Sequence, residues 1–369
     1  MKRTWQVSIA TAMMSFLLLA GCGTGDENAG ANENGDGNDN NSVNEETAGA
    51  EDENNANNAS NGDDAANNAE EEMVHIGATQ IVEHPSLDAA FEGFKAGLAD
   101  NGYVEGEQVT FDFQSAQGDP NNTGPIATNF VADEVDLIFA NSTPSAQGAL
   151  QSTDDIPIIF TSVTDAVGAG LVESLDQPGD NITGVVDLHP DSIEKTIGFI
   201  EDYFADSTVG LIYNSGEQNS LAQIDAVNAA IEGTNLDTAE RSVSTSAEVQ
   251  QAAESLIGEA DVLFIITDNT VVSALETVVS TANEYDIPLI VGEPDSLERG
   301  GFATFGIDYH SIGYRTGEMA AEILSGDKTT AEIPSEYPAD MQLFINQDAA
   351  EAQAIEWHDD WDDLAELFE

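Results

Sequence analysis

Thr143-Pro144-Ser145 follows an apolar run at 135–140 and reads as an N-cap with proline and serine in the first helical turn. Such a start gathers free backbone N–H groups and partial positive charge, so it can hold a carboxylate, with the hydroxyls of Thr143 and Ser145 as further donors. Asp268 stands in the matching place after a second apolar run, 261–266. It serves either as a helix cap or as an acceptor for an ammonium group, and Asp187 is a second candidate for that ammonium. Further polar contacts are offered by Gln80, His84, Asn141, Ser162, Thr164, Asp165, Asn214, Ser215, Asn219, Asn269 and Glu293. Most of these residue types also populate turns for backbone reasons alone, so a purely structural role competes at each. Basic residues are scarce in these loops, and Arg299 lies just beyond one of them. That argues against a phosphate or dicarboxylate ligand, which calls for arginine forks.

No constellation for catalysis accompanies these residues. His75, His84, His189, His310 and His358 lack metal-ligand spacing such as HExxH. The sequence has no GxSxG elbow and no phosphate-binding loop, and "GAGLVESLDQPGDN" does not satisfy GxGxxG. Carboxylates are so abundant that a close pair of them carries little information. The expectation is a binding protein with no catalytic residues, no metal and no cofactor. The chain holds 70 acidic residues against 8 basic ones, a formal charge of −62. Such a surface repels nucleic acid and anionic headgroups, and salt must screen its self-repulsion. The pattern suits a protein working outside the cell at high salt.

The elements that must position these loops are written as short apolar runs alternating with helix-like segments. The runs include "VHIGA", "VTFDF", "VDLIFA", "IPIIF", "VGLIY", "DVLFII", "IPLIV" and "FATFG". In "SLDAAFEGFKAGLADNG" (86–102), Leu87, Ala90, Phe91, Phe94 and Leu98 share one helical face and Asn101-Gly102 ends it. Continuous apolar strands between amphipathic helices imply parallel sheets covered on both faces. The order also repeats at an offset of about 130 residues: "EVDLIFANSTPS" with "EADVLFIITDNT", and "DIPIIFTSVTD" with "DIPLIVGEPDS". The fold class is therefore α/β, with two similar doubly wound lobes. Ligands of open parallel sheets sit beyond the carboxyl ends of the strands, which places the loops 79–84, 141–145 and 161–165 opposite 214–219, 267–270 and 292–296. A connection between lobes is expected near 181–192. A helix from Tyr309-His310-Ser311 to Gly326 should return to lobe one, and a third crossing should fall near 334–341. The acidic end, "IEWHDDWDDLAELFE", is expected to finish as a helix on lobe two with Trp357, Trp361, Leu364 and Leu367 packed inward.

At the other end, Lys2 and Arg3 precede an apolar run that is short for a membrane span, and the exit reads Leu19-Ala20-Gly21-Cys22. This resembles the lipobox of bacterial lipoproteins, which implies a diacylglycerol on the Cys22 thiol and removal of residues 1–21. Residues 23–72 collapse to Asn, Asp, Glu, Gly and Ala, a composition unable to bury enough apolar surface to order itself. The expectation is an acidic disordered tether, 22–72, spanning about 40 Å.

"TQIVEHPSLDAAFEGFKAGLADNGYVEG", "TPSAQ", "DIPIIFTSVTDAVGAGLV" and "NITGV" resemble the substrate-binding lipoproteins of ABC importers. The likeness is to the type I periplasmic-binding-protein branch tied to tryptophan or other aromatic amino acids, and it covers nearly all of residues 74–350. It implies a three-crossing hinge between lobe 1 (73–186 and 307–334) and lobe 2 (187–306 and 335–369), closing on a small solute such as an amino acid. It also implies hand-over to an ABC permease by a receptor lipid-anchored on the outer face of the cytoplasmic membrane. Sensing through a kinase or chemoreceptor, or binding a sugar or nucleoside, are the alternatives. The sequence departs from the family in its long acidic tether, its few lysines, and Ala166 where proline is expected.

Overall fold

The computed structural model describes residues 73–368. The segments expected to be a signal, a lipidation site at Cys22 and a tether lie outside the described residues.

Nearly every expected apolar run becomes a strand. The first sheet is built from β1 (Val74–Gln80), β2 (Val109–Ser115), β3 (Leu137–Asn141), β4 (Ile158–Val163) and β5 (Ile182–Val186), ordered β2-β1-β3-β4-β5 and parallel throughout. Between these strands lie α1 (Pro85–Asp100), α2 (Thr123–Ala132) and α3 (Thr143–Ser152). β3 and β4 are buried along their whole length, as expected of strands covered on both faces.

The chain then crosses to a second lobe. Its helices are α4 (Ser192–Tyr203), α5 (Gln218–Ile231), α6 (Val249–Ser255), α7 (Asn269–Val272), α8 (Leu275–Tyr285) and α9 (Asp295–Glu298). Its strands are β6 (Thr208–Asn214), β7 (Asp237–Val243), β8 (Val262–Ile265), β9 (Leu289–Val291) and β10 (Ala303–Gly306). α10 (Tyr309–Leu324) goes back to the first lobe. There Gly93 and Gly97 of α1 meet Gly313 and Gly317, so closely that a Cβ on Gly313 would lie 1.9 Å from the Ala90 carbonyl oxygen. After α10 the chain adds a short pairing of Glu336 to Val185 beside β5 and returns as β11 (Gln342–Asn346), followed by α11 (Gln347–Ala352). The second sheet reads β12-β11-β10-β9-β8-β6-β7 and is parallel except for β10 against β11.

The acidic end differs from its expectation. α12 (Trp361–Leu364) is one turn long, and Glu366–Phe368 then pairs in parallel with β11 as an edge strand, β12. Trp361 is fully buried against Phe199 and Phe302, with Trp357 and Leu367 packed beside that core, but Leu364 is 59% exposed. Four aspartates at 359, 360, 362 and 363 repel one another along a helix, while the free edge of β11 offers backbone partners. Among the described residues no helix is long and apolar enough to cross a membrane.

Candidate functional site

The carboxyl ends of the strands in both lobes converge on one narrow, nearly filled hollow. The first lobe contributes His84, Leu87, Ser162 and Thr164. The second contributes Asn219, Thr267, Asp268, Asn269, Val272 and Glu293. Asp187 and Tyr309 stand where the chain crosses between lobes. Larger hollows lie elsewhere: on the outer end of the first lobe beside Asn101 and Glu322, at the cleft mouth between 117–121 and 244–246, beside Glu276 and Tyr285, and beside Arg241. Among the described residues, none of these is lined by a buried polar side-chain atom without a partner. The narrow hollow differs sharply: His84 Nδ1, Ser162 Oγ, Asp187 Oδ1, Asn219 Oδ1 and Glu293 Oε2 are all buried and unpartnered. Buried polar groups are nearly always satisfied, so this concentration marks a place built for something else to complete.

The first lobe's wall is strained. Ser142, rather than Thr143, caps α3: its amide donates to the Thr161 carbonyl (3.0 Å), and its hydroxyl accepts from the Ser145 amide and donates to the Ser145 hydroxyl. The helix therefore starts one residue earlier than the sequence suggests, and before it the Asn141 amide is tied to Gln80 (3.0 Å) and the Leu87 carbonyl (2.7 Å). Ser142 adopts φ 113° and ψ 159°, a region otherwise reserved for glycine, and Ser162 sits at φ 55° beside a register shift in β4. Thr143 Oγ1 is buried without a partner.

The second lobe's wall is a closed network. Asp268 caps α7: Oδ1 accepts from the Val271 amide (2.8 Å), and Oδ2 from the Asn214 amide and the Ser220 hydroxyl (2.6 Å each). Burial and the nearby Glu217 carboxylate raise its pKa. With both oxygens so engaged, Asp268 fills the capping role and has little left for an ammonium. Glu217, which the sequence analysis did not select, accepts from the side chains of Asn269 (2.6 Å) and Thr270 (2.8 Å) and from the Thr270 amide. Asn214 donates to Thr270 and accepts from Gly216, which places it within the wall.

Between the walls, the Tyr309 hydroxyl donates to Asp187 Oδ2 (2.9 Å), and Oδ1 is buried with only the Thr164 hydroxyl beside the carboxyl. Burial raises the Asp187 pKa to about 6. Glu293 is 2% exposed; Oε1 accepts from the Ser296 hydroxyl, Oε2 is free, and burial raises its pKa to about 8. Burial, with the Arg299 charge next, lowers the His84 pKa to about 3, so its imidazole is neutral. Tyr309, named in the sequence only as a helix start, lines the hollow with Leu87, Thr267 and Val272, and Glu217 braces its wall; pattern alone selected none of these as site residues. A carboxylate in so acidic a chain gives no signal, and Tyr309 could have been found from its place at a crossing.

Of the selected residues, His84, Ser162, Thr164, Asp187, Asn219, Asp268, Asn269 and Glu293 come together around the hollow. The others stand outside it. Gln80 and Asn141 brace β1, β3 and α1, with the Gln80 amide also on Asp88. Ser145 completes the α3 cap, Asp165 accepts from the Gly168 amide in its own turn, and Ser215 lies exposed at the cleft mouth, paired with Ser242. Among the described residues, no group of three or more His, Cys, Asp or Glu is placed to hold a metal ion.

The family model for ABC transporter substrate binding proteins matches residues 75–366. The "Tyrosine-binding protein" of Clostridioides difficile (strain R20291) is 45% identical over 279 residues, covering 75% of this chain and 80% of that protein. A solved ABC domain in complex with L-Trp, from Streptococcus pneumonia, is 31% identical over 80% of this chain and 99% of its own, with a TM-score of 0.75. The ligand-free, open structure of a substrate binding protein from Clostridium difficile is 40% identical over 80% and 99%, with a TM-score of 0.60. With two parallel-sheet lobes facing one polar hollow, the chain belongs to the ABC transporter substrate binding protein family.

Proposed function

We propose that this protein captures a free amino acid with an aromatic side chain between its lobes and presents it to an ABC permease for import. The observation that carries this is the group of buried, unpartnered polar atoms facing one hollow from both lobes and the crossing. Asp187 Oδ1 accepts from the ligand ammonium. The Ser162 hydroxyl and the start of α3, with its unpartnered Thr143 hydroxyl, hold the carboxylate. Leu87, Val272 and the Tyr309 ring supply apolar surface for the side chain. The names of two relatives, one tyrosine-binding and one solved with L-Trp, favour an aromatic amino acid.

The lobes stand apposed: Gln223 of α5 reaches across to Thr164 Oγ1 (3.5 Å). The open relative, although closer in sequence than the L-Trp complex, matches less well in shape, which fits a closed arrangement here. Closure on the ligand shifts the balance between open and closed forms by differential binding. Cys22 and the acidic tether suit a lipid-anchored receptor on the outer face of the membrane, and Cys22→Ala should release it into the medium.

Titration calorimetry at high salt tests the ligand. L-Tyrosine, L-tryptophan and L-phenylalanine should bind, whereas tyramine, lacking the carboxylate, and 3-(4-hydroxyphenyl)propionate, lacking the ammonium, should bind at least about 100-fold more weakly, the scale of one lost charged contact. Equal binding of all five would sink the assignment of both charged ends.

A further inference from the structure

Asp187 and Glu293 share the hollow, and no lysine or arginine is among the residues that line it. Each carboxyl has one oxygen engaged by a neutral hydroxyl, Tyr309 on Asp187 and Ser296 on Glu293; the other oxygen is buried, with only the Thr164 hydroxyl beside Asp187 and no partner on Glu293. The charged and titratable groups around the pair can be named from each element. From the start of α1 comes the neutral His84 imidazole; from α10, Tyr309 with Asp308 before it; from α9, Asp295. Across the hollow lies Asp268 with Glu217 behind it, and beyond α9 lies Arg299. The charge of that arginine acts on Glu293; its Nε and Nη2 fork onto Glu276 (2.9 and 3.0 Å), and its Nη1 is buried without a partner. Two carboxylates in a dry, shared space cannot both stay ionised without a counter-charge.

We propose that the empty closed site keeps a proton on the Asp187–Glu293 pair, mainly on Glu293, and that the ligand's ammonium takes that proton's place. The inference rests on the amino-acid reading above and adds a second carboxyl to its ammonium end. The ligand arrives as R–NH₃⁺, the Glu293 carboxylic acid gives its proton to solvent, and the resulting carboxylate accepts from the ammonium alongside Asp187 Oδ1. No covalent bond forms; at the ammonium end one positive charge replaces the departing proton, while the ligand's own carboxylate is held by the first lobe, so the complex carries one more negative charge than the empty protein. The site therefore selects a primary ammonium by exchange. The raised pKa of Glu293, about 8, sets where the exchange matters.

Calorimetry of L-tryptophan binding between pH 6 and 8, in buffers of different ionisation enthalpy, tests this on the intact protein. Close to one proton should be released per ligand near pH 6.5. Affinity should rise nearly tenfold per pH unit up to about pH 8 and then level off. Glu293→Gln should reduce the proton count to near zero and flatten that slope. Wild-type binding that is independent of buffer and of pH across this range overturns the exchange while leaving amino-acid capture intact. Failure of every amino acid to bind overturns both. The wild-type proton count stands without any variant, so a poorly folding Glu293→Gln does not remove the test.

Discussion

The two walls of the cleft descend from the same strand–turn–helix unit and have been finished in opposite ways. On the first lobe, the turn after β3 is capped by a neutral serine in a backbone region fit for glycine, and the Thr143 hydroxyl beside it is left unpartnered. On the second lobe, the turn after β8 is capped by Asp268 in ordinary extended geometry, and the carboxylate's oxygens take three internal donors. One wall stores strain and keeps donors free; the other spends its polar groups on its own rigidity. Strained and unsatisfied groups persist where the surrounding fold over-determines them, and they concentrate at binding sites. The lesson is that a pseudo-repeat predicts position, not role. The acidic member of the pair is engaged by its own wall, and the hydroxyl beside the neutral member is left without a partner.

The widest break in this contrast comes from the second wall. Asp268→Ala strands the Asn214 amide, the Ser220 hydroxyl and the Val271 amide in a buried place, and should cost the empty protein about 3 kcal/mol or more, seen as a lower urea midpoint. An unchanged midpoint would return Asp268 to the ligand. Glu217→Gln keeps the shape but loses the charged acceptor for Asn269 and Thr270, for about 2 kcal/mol by the same measurement.

A pH series probes the crossing between the walls. Glu293 and Asp187 have folded pKa values raised from 4.5 to about 8 and from 3.8 to about 6. Between the unfolded and folded values the native state binds more protons than the unfolded chain. Their contribution to stability is therefore fully present below about pH 4 and is lost as pH rises, through 6 for Asp187 and 8 for Glu293. Empty protein should become less stable from pH 6 to 8, by up to about 1.4 kcal/mol per unit for each of Glu293, Asp187 and Asp268 while it stays protonated, and Glu293→Gln should remove one such share of the slope in denaturant titrations. A flat wild-type profile would mean that Glu293 is ionised throughout.

On the first wall the effects are smaller. Ser142→Gly relieves a conformation costing about 1–3 kcal/mol and loses only a few tenths in capping, so it should stabilise by about 1 kcal/mol while weakening ligand binding. Destabilisation would show that the geometry at Ser142 is relaxed. Thr143→Val removes an unpartnered hydroxyl and should shift stability by less than about 0.5 kcal/mol, yet lower ligand affinity about tenfold by calorimetry.

Much of the frame was legible because its strands are buried on both faces. The runs ending in β3, β4, β8 and β9 announce themselves by continuous apolar sequence, and α1 by its periodic face. β7 escaped notice because "DTAERSV" is polar; it lies at the sheet edge, where pairing with β6 rather than burial makes it a strand. The acidic end was misread for a related reason. Trp361 was seen as a core residue, but the backbone edge that Glu366–Phe368 joins belongs to β11, and sequence pattern says nothing of which edges stay open.

The sequence by itself determined where the strands end, and therefore which loops meet, because burial and helix periodicity are local properties written into successive residues. It could not determine which polar atoms in those loops remain free. Asp187, Asp268 and Glu293 are all acidic loop residues in the linear text, and their differences arise from partners 3 to 122 positions away. A hydrogen bond from Ser220 makes one of them a brace, while the lack of any partner for one oxygen leaves the other two open. Only the packing of both lobes and the crossing around one dry hollow decides that, because protonation and hydrogen bonding answer to the surroundings in space and not to neighbours along the chain.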